Sequence, residues 1–185
     1  MRDIEVVALV ASAGGLDALG TIVGKLPPGF PAAVLVQQRL GGHGTALVDL
    51  LDRETELEVG WVGLGTRIEP GRVLVCPPGA QLEVLPDGIC TLTATQGGGL
   101  DLPIDALFAS LAEAYGERAL AVVLTGKGTD GAAGTRALTA AGGTVIAQSE
   151  NSAEHPTMPR AAVEAGADRA LGLEAIAQAL VEAVS

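Results

Sequence analysis

Five stretches of apolar, largely β-branched residues recur along the chain, at residues 4–11, 33–37, 73–76, 120–125 and 144–147, several without a polar position on either face. A strand that is apolar on both faces is buried on both faces, which is the pattern of an interior parallel strand. Segments with helical spacing lie between them, at residues 16–25, 45–53, 104–115, 130–141, 159–165 and 173–184. The clearest is Ile104, Leu107, Phe108, Leu111 and Tyr115, whose steps of three and four lay one apolar stripe along a helix. This alternation predicts an α/β fold: a doubly wound, mostly parallel sheet with helices on both faces. The rhythm breaks over residues 57–93, where Glu69-Pro70-Gly71, Pro77-Pro78-Gly79 and Pro86-Asp87-Gly88 read as tight turns between short β runs. An antiparallel insertion with a hairpin at the sheet edge is expected there. Repeats and linker-like composition are lacking, so residues 1–185 are expected to form one domain.

Charge narrows the function classes. Eleven basic against 22 acidic residues give a formal net charge of -11, which repels phosphate backbones and anionic lipid surfaces, so nucleic acid is not an expected partner. The apolar runs stop short of the roughly 18 to 20 residues of a membrane span, and residues 1–5 do not open a signal peptide. No membrane insertion and a cytoplasmic location are therefore expected. Cys76 and Cys90 form no CxxC pair, so neither a disulfide framework nor a zinc site is indicated, and no residue set suggests a metal or an organic cofactor.

In an open α/β sheet, ligands bind beyond the carboxyl ends of the strands, so the loops after strands are where chemistry is sought. The first strand runs into Val10-Ala11-Ser12-Ala13-Gly14-Gly15 and then a helix, setting the Ser12 hydroxyl beside free N–H groups at a helix N-terminus, where an oxyanion can be stabilised. Taken alone, this reads more readily as a helix cap followed by a glycine turn, and Val10 stands where a nucleophile elbow has its leading glycine. The strand at 120–125 runs into Gly126-Lys127-Gly128-Thr129-Asp130-Gly131-Ala132-Ala133-Gly134. Asp130 fits the N-cap of the helix that follows. The spacing of a phosphate-binding loop is absent.

Together, Val10-Ala11-Ser12-Ala13-Gly14-Gly15, Leu124 to Gly134 and Met158-Pro159-Arg160-Ala161-Ala162, in that order, resemble the catalytic domain of chemotaxis-type protein-glutamate methylesterases. Pro70-Gly71-Arg72-Val73 and Pro77-Pro78-Gly79 resemble the family's central segment, and the likeness spans about residues 4 to 180. It implies an esterase that hydrolyses γ-glutamyl methyl esters on chemoreceptor helices, releases methanol and also deamidates receptor glutamines. The resemblance makes Ser12 the nucleophile and Asp130 the triad carboxylate, with Ala13 and Lys127 on the oxyanion loops. It further implies a chemoreceptor-like methylated partner, or a separate receiver protein in place of the receiver domain that usually precedes this catalytic domain.

The sequence departs from the family at the base. The family's histidine follows the second strand, where this chain has Gln38-Arg39-Leu40. Arginine holds its proton at physiological pH and cannot take one from Ser12. His43 on the Gly41-Gly42-His43-Gly44 loop is a candidate substitute base, and His155, before Pro156 and Met158, is a second one. Leu100-Asp101-Leu102-Pro103-Ile104-Asp105 also replaces a basic, histidine-containing stretch of the family. Two further readings follow: a receptor-binding module without turnover, with Arg39 within hydrogen-bonding distance of Asp130, and a small-anion or nucleotide-binding module, which the negative charge of Asp130 opposes.

Overall fold

The computed structural model describes residues 3–39, 46–97 and 101–185. Along the chain, β1 (Val6–Ala11) leads into α1 (Gly15–Val23), β2 (Ala33–Gln38), α2 (Leu47–Asp52), β3 (Glu58–Trp61) and β4 (Arg72–Val75). A hairpin of β5 (Ala80–Val84) and β6 (Cys90–Ala94) follows, then α3 (Pro103–Ala114), β7 (Ala119–Val123), α4 (Ala132–Ala140), β8 (Thr144–Gln148), α5 (Thr157–Glu164), β9 (Arg169–Leu171) and α6 (Leu173–Ala183). Seven strands form one sheet in the order β3-β4-β2-β1-β7-β8-β9, with parallel pairing throughout.

The side-chain period of two explains why the central strands are apolar throughout. In β1 every residue is buried. Val7, Leu9 and Ala11 pack on one face with Leu19 and Ile22 of α1, Leu51 of α2 and Ile176 and Leu180 of α6. Val6, Ala8 and Val10 pack on the other with Ile104, Leu107, Phe108 and Leu111 of α3, Leu138 of α4 and Met158 of α5. Each fully buried Val, Leu or Phe contributes about 1.5–3 kcal/mol by leaving water. The stripe read on residues 104–115 is the inner face of α3, and Phe108 is fully buried.

The middle of the chain differs from the expectation in one respect. The run at residues 73–76 is a parallel strand of the main sheet as expected, but residues 58–61 are not part of an antiparallel insertion: β3 pairs parallel with β4 and extends the sheet beyond it. Among the described strands, β5 and β6 pair antiparallel, with an isolated antiparallel bridge from Arg67 to Ile89. Their hairpin forms a separate sheet whose Leu82, Val84 and Cys90 cover α3, rather than pairing with the sheet's edge. The turn residues correctly marked breaks in the chain, but a turn after a short strand is silent about which neighbour that strand will choose. At the opposite edge, β9 is too short and polar to show in the pattern. Its pairing to β8 comes from tertiary contact. Among the described residues, no helix is long and apolar enough to cross a membrane.

Cys76 and Cys90 both lie in the core beneath the hairpin. Burial pushes the Cys76 thiol up to about 12 and the Cys90 thiol up to about 11. The thiolate is the reactive form, so both should be silent toward a disulfide exchange reagent at about pH 8 in the folded protein and should react together after denaturation. A thiol titration with and without guanidinium checks this, and fast labelling of native protein would show that the hairpin opens.

Candidate active site

Strand order reverses at β1: the chain leaves it toward β2 on one side and returns to β7 on the other. The carboxyl ends of β1 and β7 therefore bound the crevice where a doubly wound sheet binds its ligands. Ser12 follows β1 immediately. Its N–H donates to the Thr125 carbonyl at 3.0 Å across the crevice, and its own carbonyl accepts from Gly15 N–H at 3.0 Å and Gln38 Nε2 at 2.7 Å. Gly14, at φ 78°, makes the left-handed turn that starts α1.

The loop after β7 meets this turn at Gly126. A β-carbon built there would sit 2.8 Å from Ser12 Cβ and 2.8 Å from Met158 Cε, so only glycine lets the two loops close. Gly126 N–H donates to the His155 carbonyl at 2.9 Å and its carbonyl accepts from Met158 N–H at 3.0 Å. Thr125 ties three segments together. Its backbone N–H donates to Gln148 Oε1 at 2.9 Å, its hydroxyl donates to the Ala13 carbonyl at 3.0 Å, and it accepts from His155 N–H at 2.8 Å. Sequence reading missed Thr125 and Gln38, since a polar residue closing a strand does not announce its partners. Among the described residues the backbone N–H groups of Ala13 and Lys127 have no hydrogen-bond acceptor.

Asp130 is buried, but it does not cap its own helix as expected. Its Oδ1 accepts from Asp105 N–H at 2.9 Å and its Oδ2 from Ile104 N–H at 3.1 Å, so it caps α3. Asp105 returns the arrangement: its Oδ1 accepts from Gly131 N–H at 3.0 Å and Gly134 N–H at 2.7 Å at the start of α4. The two helices exchange caps because their N-termini converge, and a carboxylate one turn away in space serves a free N–H as well as one in sequence. Arg39 Nη1 reaches Asp130 Oδ2 at 3.4 Å, with the guanidinium partly exposed. Burial raises the Asp130 pKa above the ordinary aspartate range; the N–H donors of Asp105 and Ile104 and the Arg39 charge act against this without cancelling it.

Ser12, Ala13, Lys127, Asp130 and Arg39 thus gather on the loops at one end of the sheet. His43 lies outside the described residues. His155 is described and sits beside the Ser12 turn. Among the described residues no three His, Cys, Asp or Glu side chains are grouped as metal ligands would be.

Residues 7–180 match the CheB methylesterase family. The chain is 43% identical to the protein-glutamate methylesterase/protein-glutamine glutaminase of Moorella thermoacetica, over 98% of this chain and 45% of that protein. It is 41% identical to an Anaeromyxobacter dehalogenans enzyme of the same name, over 97% of this chain and 53% of that one. The chain spans about half the length of the curated relatives it matches. The crystal structure of the Thermotoga maritima CheB methylesterase catalytic domain superposes with a TM-score of 0.89 at 31% identity, covering 97% of this chain and 98% of that one. These names describe enzymes and lend nothing to a binding module without turnover.

Two outcomes follow from the geometry. Gly126→Ala should push Ser12 or Met158 aside and destabilise the fold by about 1–3 kcal/mol, read as a lower urea midpoint; unchanged stability would mean the loops yield freely. Because the folded Asp130 carboxyl holds its proton to higher pH than the unfolded one, the folded state binds more protons between the two values, and stability falls as pH rises through that window. Relative to Asp130→Asn, which does not titrate, the native protein should therefore lose stability from the ordinary aspartate range upward until the raised value is passed. Urea unfolding at a series of pH values gives the slope, and a rise instead would show that the N–H donors and Arg39 outweigh burial.

Proposed function

We propose, for a chain that belongs to the CheB methylesterase family, that it is a serine hydrolase removing methyl esters from glutamyl side chains of chemoreceptor proteins and deamidating their glutamines. The observation that carries this reading is Ser12, held by a cross-crevice hydrogen bond at the point where strand order reverses, on loops whose Ala13 and Lys127 N–H groups have no acceptor among the described residues.

In this reading the Ser12 hydroxyl attacks the δ-carbon of the glutamyl ester. The carbonyl oxygen becomes an oxyanion that accepts from the Ala13 and Lys127 N–H groups, and one such donor is worth about 2.7–4 kcal/mol of barrier. Collapse expels methanol and leaves an acyl-serine. Water then attacks the acyl carbon, releasing a glutamate carboxylate and restoring Ser12. A glutamine passes through the same steps with ammonia as the leaving group.

Asp130 does not act in this chain as the orienter of an imidazole at position 39. Its carboxylate holds the starts of α3 and the Arg39 guanidinium. Arginine as the base is excluded by magnitude. Taking a proton from an arginine near neutral pH costs at least about 7 kcal/mol, whereas a general base supplies about 10²–10⁴-fold, or roughly 3–5 kcal/mol.

Methanol release from a methyl-esterified chemoreceptor cytoplasmic fragment tests the reading. The native chain should release methanol and Ser12→Ala should reduce release by at least about 10³-fold. Equal release by both would remove Ser12 from the chemistry.

A further inference from the structure

The hydrolase reading leaves Ser12 without a proton acceptor on its Asp130 side, where Arg39 occupies the carboxylate. The opposite side of the turn carries His155 and Glu154. The His155 backbone is fixed by three contacts to the loop that also fixes Ser12: its N–H donates to Thr125 Oγ1 at 2.8 Å, its carbonyl accepts from Gly126 N–H at 2.9 Å, and the Thr125 hydroxyl lies 3.4 Å from that carbonyl. A solvated loop histidine has no such anchorage. The imidazole is 32% exposed, and its Nε2 lies 3.6 Å from Glu154 Oε1.

Glu154 folds back over the nucleophile turn. A β-carbon built on Gly14 would lie 2.7 Å from Glu154 Oε2 and 3.1 Å from Glu154 Cβ. One carboxylate oxygen thus covers the residue two beyond Ser12 while the other faces the imidazole. Gly126, whose N–H holds the His155 carbonyl, is the residue whose missing side chain lets Ser12 Cβ approach. The loop after β8 therefore meets the Ser12 turn through the backbone of His155 at Thr125-Gly126 and through the Glu154 side chain at Gly14.

We infer that His155, oriented by Glu154, is the general base for Ser12 in this chain; the inference rests on the hydrolase reading above. Nε2 lies 3.6 Å from Glu154 Oε1, and with the ring proton on Nε2, Nδ1 keeps its lone pair and is the atom that takes a proton. As the Oγ–C bond forms, the Ser12 proton moves to Nδ1. When the C–O bond to methanol breaks, that proton passes to the leaving oxygen. A water gives its proton to Nδ1 in the second half, its oxygen bonds the acyl carbon, and the proton returns to Ser12 Oγ as glutamate departs. Glu154 contacts no reacting atom and is a positioning residue.

The experiment measures two rates on the whole chain: methanol release from the esterified receptor fragment, and phosphonylation of Ser12 by a fluorophosphonate probe followed by intact mass. The native chain should show both and Ser12→Ala neither. His155→Ala should slow both by about 10²–10⁴-fold, with partial recovery on adding free imidazole, which a merely structural loss would not give. His155→Gln, which keeps the bulk, should show the same deficit with an unchanged unfolding midpoint, and Glu154→Gln a smaller one. His155→Ala and His155→Gln at native rates, with Ser12→Ala dead, would overturn the base assignment and leave the hydrolase reading standing. A native chain that neither releases methanol nor labels at Ser12 would overturn both.

Discussion

The hydrogen bond from the Ser12 N–H to the Thr125 carbonyl couples the two halves of the sheet where ligands would enter. It exists because β1 and β7 are direct neighbours in register, Val10 beside Val123, so the chain leaves both strands at the same height. Their pairing is enforced by burial of every residue in either strand, which leaves no register in which polar positions could slip into the core. The Ser12 turn is thus positioned by the apolar core beneath it. Gly126 and Gly14 then let the backbones approach closely enough for Thr125 to bridge the turn to the loop after β8.

The exchanged caps of α3 and α4 explain why Asp130 is present although the imidazole it would orient is not. Without its carboxylate, the N–H groups of Ile104 and Asp105 would lose their acceptors in a buried setting, at about 1–3 kcal/mol each. The same reasoning applies to Asp105 and the start of α4. Two carboxylates in one crevice repel, yet each faces a helix N-terminus that favours negative charge, and Arg39 adds a cation beside Asp130. Asp130 is therefore tied to the fold independently of any catalytic role, so its survival does not by itself report an intact triad.

Much of the fold was legible because its signals are local or periodic. Runs apolar on both faces identified β1, β2, β7 and β8 as interior strands, and the stripe through Ile104, Leu107, Phe108 and Leu111 identified α3. That Ser12 and Asp130 follow strands and precede helices was legible in the chain, whereas the roles given them came from the family resemblance. The errors arose where neighbours decide. Nothing within Glu58–Trp61 distinguishes a parallel edge from an antiparallel insertion, and the three residues of β9 carry too little pattern to be seen. The cap of Asp130 was assigned to the helix next in sequence, whereas the free N–H groups it satisfies belong to a helix 25 residues away in the chain. Glu154 showed no signal, because its place over Gly14 depends on a side chain folding back across a loop.

Arg39, which stands where the family resemblance expects a histidine, differs from it in charge as well as in proton affinity. A neutral imidazole beside Asp130 would leave a buried carboxylate to be stabilised by N–H donors alone, while the guanidinium supplies a permanent counter-charge. That stabilises the ground state of the crevice and removes the site's ability to accept a proton there, so hydrolysis requires an acceptor on another approach to Ser12. A triad is defined by the arrangement of nucleophile, base and carboxylate around the reacting carbon and not by the order of residues in the chain. The loop after β8, from which the inferred base comes, is bound by Thr125 and Gly126 through its backbone. On that inference the contacts that hold the Ser12 turn also hold the backbone of the residue that supplies the base, so the loss of one base need not dismantle the rest of the site.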